Sequence, residues 1–256
     1  MSNYHKDYTY WSKSLLSKFL ESPKRAFIYM NSEFNSDTKA MNFGRAYHSY
    51  IEGVDDFVVI DEEKRPDFTK GMTANVNKEW LKKIKESSDT VISKEEYCQI
   101  VDMVETLKYN SVFCKMCGEQ KNEEVFKAVI NGFKLKCKPD RILTKQCLIV
   151  DWKTCESVNE RKIKYAINDY NYDMQSAIYS DIMFALTGVK HNFLFMFQEK
   201  TAPYEVLPVL VRHTSDVMEQ GRQKYLEACK RAKESFETGI YKTVSEFYEN
   251  QILELL

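Results

Sequence analysis

The chain has little proline, no long apolar run and almost no net charge, and each shortage narrows what it can be. Five prolines in 256 residues, with no internal repeat or low-complexity tract, leave no obvious linker between domains. No apolar stretch approaches the roughly 20 residues that a helix needs to cross a bilayer. The opening stretch "MSNYHKDYTYWSKS" lacks an apolar core, so no secretory signal is expected. Seven cysteines, odd in number and irregularly spaced, suit reduced thiols in a cytosol better than a disulfide framework. A formal net charge of −1 carries no electrostatic signature of a nucleic-acid partner. The charge is nevertheless uneven. From Lys121 to Lys164 stand eleven Lys or Arg against six Asp or Glu, an excess that permits an anionic partner without identifying one.

What is present reads as an ordinary soluble protein, 43% hydrophobic and 29% charged, long enough for one large domain. Residues 1–256 are expected to form one unit, mainly helical over 1–110, with a core over 120–256. "SKSLLSKFLES" carries Leu15, Leu16, Phe19 and Leu20 at helical spacing and should halt near Pro23. "KAMNFGRAYHSYIEG" places Phe43, Ala46, Tyr47 and Tyr50 on one stripe. Helices are predicted at about 75–86 and 94–108, the second opened by the capping-box pattern Ser93-x-x-Glu96. The period then changes. Asn131-Gly132 separates two β-prone runs, a hairpin signal, and "CLIVDWK" supplies a third strand. Helices at about 160–168 and 172–187, strands in "HNFLFMFQEK" and "YEVLPVLV", and a helix over 214–238 follow. This order predicts an α/β or α+β domain with a central mixed sheet and a helical N-terminal part.

The third strand ends unusually. The apolar run Cys147-Leu148-Ile149-Val150 gives way to Asp151-Trp152-Lys153, and alternation puts Asp151 and Lys153 on one face. Asp140, after Pro139, closes the preceding hairpin strand. With the hairpin beside the third strand, two carboxylates meet at adjacent strand ends and form an oxygen-rich site for a hard divalent cation. A lysine there can orient a water or stabilise charge developing on a phosphate. An Asp/Lys pair on a strand is also a common surface salt bridge, so the motif gains weight from its position directly after an aliphatic strand and from the Pro-Asp beside it. His48, four residues after Gly44 on a predicted helix, and Gln175 with Tyr179, at i and i+4 on another, are further candidates.

Together these residues resemble the PD-(D/E)XK nuclease superfamily, in its RecB-like branch. "YWSKSLLSKFLESPKRAF" resembles the branch's N-terminal helix, and "GRAYH", "KPDRI", "IVDWKT" and "QSAIY" resemble its Gly-x-x-x-His, Pro-Asp, Asp-x-Lys and Gln-x-x-x-Tyr motifs in order. Glu124-Val-Phe, Cys137-Lys-Pro-Asp-Arg and "QEKTAPYEV" favour the RecE/exonuclease VIII type of phages and prophages. The resemblance implies a restriction-endonuclease-like core, with a central mixed five-stranded sheet flanked by helices. It also implies degradation of linear duplex DNA from its 5′ ends in the bacterial cytoplasm, leaving 3′ single-stranded tails for recombination. It implies that His48, Asp140, Asp151 and the Trp152 carbonyl ligate Mg²⁺, with Mn²⁺ an acceptable substitute. Lys153 would position or activate the water, Glu124 would act at the periphery or on a second metal, and Gln175 and Tyr179 would steady the DNA backbone or the lysine. Lys24, Arg25 and Arg45 are candidates for the 5′ phosphate. A homo-oligomeric ring is implied by analogy, and "SEFYENQILELL" offers an apolar segment for a single-strand annealing protein, for its own domain or for a neighbouring subunit.

Two departures matter. Some relatives hold an iron–sulfur cluster with one N-terminal and three C-terminal cysteines. Here the first cysteine is Cys98 and Cys229 stands alone near the end, so no cluster is expected. Cys114-x-x-Cys117 lacks a partner pair for zinc. An endonuclease or flap nuclease on the same fold, and a non-catalytic scaffold that binds DNA ends, remain the competing readings.

Overall fold

Ser22 and Pro23 set the first corner of the chain. The computed structural model describes residues 7–32, 38–54, 56–67, 69–72, 74–116, 120–122 and 124–247. Helix α1 (Lys13–Glu21) is capped by Ser12, whose hydroxyl accepts the Leu15 N–H, and it buries Leu15, Leu16 and Phe19. The Ser22 N–H closes α1 on the Lys18 carbonyl, while its hydroxyl accepts the Arg25 N–H and so caps α2 (Pro23–Asn31). The first helix therefore halts where expected, but a second, unexpected one starts at once. Proline breaks a helix interior and is well suited to its first turn, where its missing N–H is not needed.

Helix α3 (Lys39–Glu52) runs from a Thr38 cap to Gly53, which takes the left-handed φ of 68° that a helix C-terminus favours in glycine. After it come β1 (Val58–Ile60), α4 (Asn75–Ser87), β2 (Val91–Ser93), α5 (Lys94–Leu107) and the short α6 (Ser111–Cys114). The capping box at Ser93 and Glu96 forms with both its bonds. Strands β1 and β2 pair in parallel as a small separate sheet that the helical reading of this region did not include.

The core follows as β3 (Gln120–Asn122), β4 (Phe126–Ile130), β5 (Phe133–Cys137), β6 (Arg141–Leu143) and β7 (Leu148–Cys155). Then come α7 (Glu160–Asp169), α8 (Tyr172–Thr187), β8 (Asn192–Glu199), β9 (Val206–Val211), α9 (Asp216–Thr238) and α10 (Val244–Phe247). A mixed five-stranded sheet forms in the order β3-β6-β7-β8-β9, with β7 and β8 parallel and the other pairs antiparallel. Its number of strands is as expected, but its membership is not. The hairpin β4–β5 turns at Asn131 and Gly132, both at positive φ, and stands apart as a two-stranded ribbon. Its β5 edge is held by Trp11, which donates to the Lys134 carbonyl and accepts from the Lys136 N–H. Pro139, with no N–H and a fixed φ, ends one strand and lets the chain restart as β6.

Alternation along the central strands divides the core in two. Ile149, Phe193, Phe195 and Phe197 face one cluster with α1, α8 and α9, whereas Val150, Trp152, Leu194 and Met196 face another with α3 and α5. Each of these phenylalanines is buried, a gain of about 1.5–3 kcal/mol per side chain. Helix α9 crosses α8 so closely that a Cβ on Gly221 would lie 2.1 Å from the Asp173 carbonyl oxygen. Gly221→Ala must therefore push the helices apart. We expect a loss of about 1–3 kcal/mol in a denaturant titration, and an unchanged midpoint would show that the crossing yields freely. Among the described residues no helix is long and apolar enough to cross a membrane.

Candidate active site

Asp140 lies on the bend between β5 and β6, and Asp151 and Lys153 lie inside β7. The register pairs Arg141 with Val150, which sets Asp140 across from Asp151. The Trp152 N–H donates to Asp140 Oδ2 at 2.9 Å. His48 reaches the same oxygen from α3, its Nδ1 at 3.2 Å. Lys153 Nζ rests against Asp151 Oδ2, and Gln175, from α8, donates its side-chain amide to Asp151 Oδ1. The two sequence motifs therefore converge, and β7, the bend before β6, α3 and α8 each contribute to one site.

Burial and mutual charge set its electrostatics. Burial and the nearby Asp140 raise the Asp151 carboxyl above its usual range, with the Lys153 ammonium opposing them. Asp140 is held below the usual range despite its burial, because His48 and Lys153 face it. Burial opposes the charge on His48 and on Lys153, yet the two carboxylates keep both above their ordinary values. Asp151 Oδ2 is buried and faces the Lys153 ammonium, which leaves one of its lone pairs without a partner. A buried carboxylate oxygen with spare acceptor capacity, beside a second carboxylate and an imidazole, has the chemistry of a divalent-cation ligand. Among the described residues, however, no three His, Cys, Asp or Glu side chains are gathered closely enough to hold a metal ion. His48 is turned to Asp140, and Asp151 is turned to Gln175 and Lys153. Metal binding would draw His48 Nδ1, Asp140 Oδ2 and Asp151 Oδ2 onto the cation and leave the Gln175 bond to Asp151 Oδ1 in place.

The remaining expected residues are spread more widely. Tyr179 is buried one turn beyond Gln175 with its ring edge-on to Phe193, part of the core. Glu124 is exposed on the lead-in to β4, outside the five-stranded sheet that carries Asp151 and Lys153. Lys24 is exposed on α2 with its ammonium over the Phe27 ring, and Arg25 beside it pairs with Glu21. Arg45 is exposed on α3, one turn before His48, and bonds Asn42. Cys114 donates its thiol to the Lys108 carbonyl, and Cys117 lies outside the described residues. So does most of "SEFYENQILELL", from 248 onward.

Three further groups border the site. Lys13, the first residue of α1, donates to the Tyr170 carbonyl at 2.6 Å. Its ammonium lies 5.5 Å from the Tyr172 ring centroid, and Lys153 lies 4.8 Å from the same ring. Burial and the Lys153 charge lower Lys13 to about 8. Above that pH the unfolded chain binds a proton that the folded one has released, so Lys13 adds stability as pH rises from about 8 toward 10.5. Lys13→Met removes this gain. Denaturant midpoints should therefore show wild type improving relative to the variant between pH 7.5 and 9.5, and parallel profiles would contradict the shift. The other two groups, Glu52 and Arg141, bond each other behind Trp152. The sequence held weak signals for all three: Lys13 adjoins the cap Ser12, Arg141 adjoins Asp140, and Glu52 follows His48 by four residues.

A family model described as "PDDEXK-like domain of unknown function (DUF3799)" matches residues 12–244. A crystal structure from Eubacterium rectale, of a protein whose exonuclease name is itself provisional, is similar at a TM-score of 0.68 and 16% identity. The likeness covers 100% of this chain and 94% of that one, and shows a shared fold. A phage-related exonuclease from Haemophilus somnus 129PT aligns at a TM-score of 0.40 and 12% identity, covering 89% of this chain and 95% of the other. No curated protein matches the sequence significantly.

Proposed function

The chain belongs to the PDDEXK-like domain family, and on that premise we propose that it is a metal-dependent exodeoxyribonuclease acting on 5′ ends of linear duplex DNA. The observation that carries this reading is the convergence of Asp140, Asp151, Lys153, His48 and Gln175 from four segments of the fold. His48, Asp140, Asp151 and the Trp152 carbonyl would hold Mg²⁺, or Mn²⁺ in its place. Such an ion polarises the phosphoryl oxygen and acidifies a bound water. Lys153, kept charged by its carboxylate neighbours and steadied over Tyr172, holds the attacking water in line and faces the charge that develops on the phosphate. Gln175 fixes the rotation of the Asp151 carboxylate so that Oδ2 turns toward the site.

Among the cations considered for the 5′ phosphate, Arg45 is favoured because it shares α3 with His48, one turn away. A homo-oligomeric ring and a single-strand annealing partner complete the proposal.

The deciding experiment incubates the protein with Mg²⁺ and linear duplexes labelled at either the 5′ or the 3′ ends, beside a closed circular duplex. Early release of the 5′ label with the circle intact is expected. Cleavage of the circle would mean an endonuclease on the same fold. Tight end binding without cleavage under any divalent metal would mean a scaffold.

A further inference from the structure

Glu52 ends α3 four residues after His48, so the two side chains leave the same face of the helix. Its carboxylate is almost sealed, with a side-chain exposure of 1%. Oε1 accepts the Trp152 indole N–H at 2.9 Å and lies 3.0 Å from Arg141 Nη2, and Oε2 accepts from that same nitrogen at 3.1 Å. The partners are not arbitrary. Trp152 stands between Asp151 and Lys153, and Arg141 directly follows Asp140. The Arg141 guanidinium also lies 5.4 Å from the indole centroid, and its Nε has no hydrogen-bond partner among the described residues. One carboxylate thus ties the helix that carries His48 to β7, which carries Asp151, and to the first residue of β6, directly after Asp140.

Phe43 and Ala46 seat α3 by apolar burial, which is non-directional. The Tyr47 hydroxyl donates to Gln198 Oε1 and so fixes α3 to β8, but not to the segments that carry Asp140 and Asp151. The hydrogen bonds of Glu52, with their defined angles, supply that tie. We infer that Glu52 is a positioning residue that sets the approach of His48 to Asp140, and through it the affinity of the site for a divalent cation. The inference rests on the proposed metal site and adds to it a residue that touches neither metal nor DNA. Groups that orient metal ligands in this way typically change affinity by about 10–100-fold when replaced.

The test is a mutant cycle read as Mn²⁺ binding to the protein alone, by loss of the free-ion paramagnetic resonance signal, without DNA. Glu52→Gln keeps the shape but removes the charge, and its NH₂ in place of Oε2 sets a donor against the Arg141 Nη2 donor. It should weaken Mn²⁺ binding by about 10-fold or more. His48→Ala should weaken binding strongly in wild type and much less in the Glu52→Gln background, because the two act through one contact. A purely structural role predicts otherwise: a lower melting temperature, unchanged Mn²⁺ affinity and a full His48→Ala effect in both backgrounds. That result would overturn the inference. Arg141→Lys breaks the same tie from the strand side and gives the readout should Glu52→Gln fail to fold. Failure of the underlying metal site looks different, since Asp140→Asn and Asp151→Asn would then leave Mn²⁺ binding untouched.

Discussion

Lys153→Ala should lower the rate of duplex cleavage by about 10²–10³-fold, the usual effect of removing one preorganised group that stabilises transition-state charge. The expectation follows from the environment of the ammonium. It lies half-buried against Asp151 Oδ2 and over the Tyr172 ring, and the carboxylates hold it above the ordinary lysine range, so it is a cation near neutral pH. Loss of the lysine should be tolerated by the fold. The Asp151 carboxyl is already raised by burial and by Asp140, and without Lys153 it can take up a proton instead of remaining as an unpaired buried charge. Lys153→Arg should not restore activity, because a planar guanidinium cannot occupy the same place between carboxylate and ring. Single-turnover cleavage of end-labelled duplex, with circular dichroism and end-binding anisotropy alongside, measures all of this. Activity within a few-fold of wild type would remove Lys153 from the site.

Arg141→Ala should be the most destabilising substitution near the site. It leaves the Glu52 carboxylate buried beneath Trp152 with one neutral donor in place of an ion pair. Removing one partner of a buried pair costs about 3–5 kcal/mol, since the remaining charge stays desolvated. For a chain of this size each kcal/mol lowers the melting temperature by roughly 2–4 °C, so the shift should be large. The double replacement Glu52→Met with Arg141→Met removes both charges and keeps the volume. It should recover most of the loss, because well-packed apolar side chains often replace a buried ion pair without penalty. Thermal melts of the two variants decide the matter. Equal melting temperatures for Arg141→Ala and wild type would mean that the pair is solvated and contributes little.

These two groups differ in how visible they were beforehand. Lys153 could be named from the chain alone, because an apolar run ending in Asp-x-Lys is a local pattern and strand alternation fixes which side chains share a face. The same locality made other features legible. The capping box at Ser93, the Asn131-Gly132 turn and the helix over Tyr172–Thr187 depend only on near neighbours, and they formed as read. Strands β1, β2 and β6 are three residues each, too short for an alternation pattern to stand out. The start of α2 was hidden because proline is read first as a breaker.

Arg141, Glu52 and Lys13 carried only weak local signals, Arg141 as the end of the Pro-Asp-Arg motif, and the sequence indicated no partner for any of them. Their roles arise where α3 closes on β6 and β7, and where the first turn of α1 meets the α7–α8 junction, across separations of about 90 to 160 residues. Residue types and short spacings determined the mixed α/β class, the main helices, strands β7, β8 and β9, and the placing of Asp151 and Lys153 on one face of β7. Tertiary packing alone decided that β4 and β5 would form a separate ribbon, that Glu124 would stand exposed on its lead-in, and which buried charge would face which. The physical reason is range: helix caps, turns and alternation act within a few residues, whereas the ionisation and partnership of a buried group depend on everything the fold brings within a few ångströms of it.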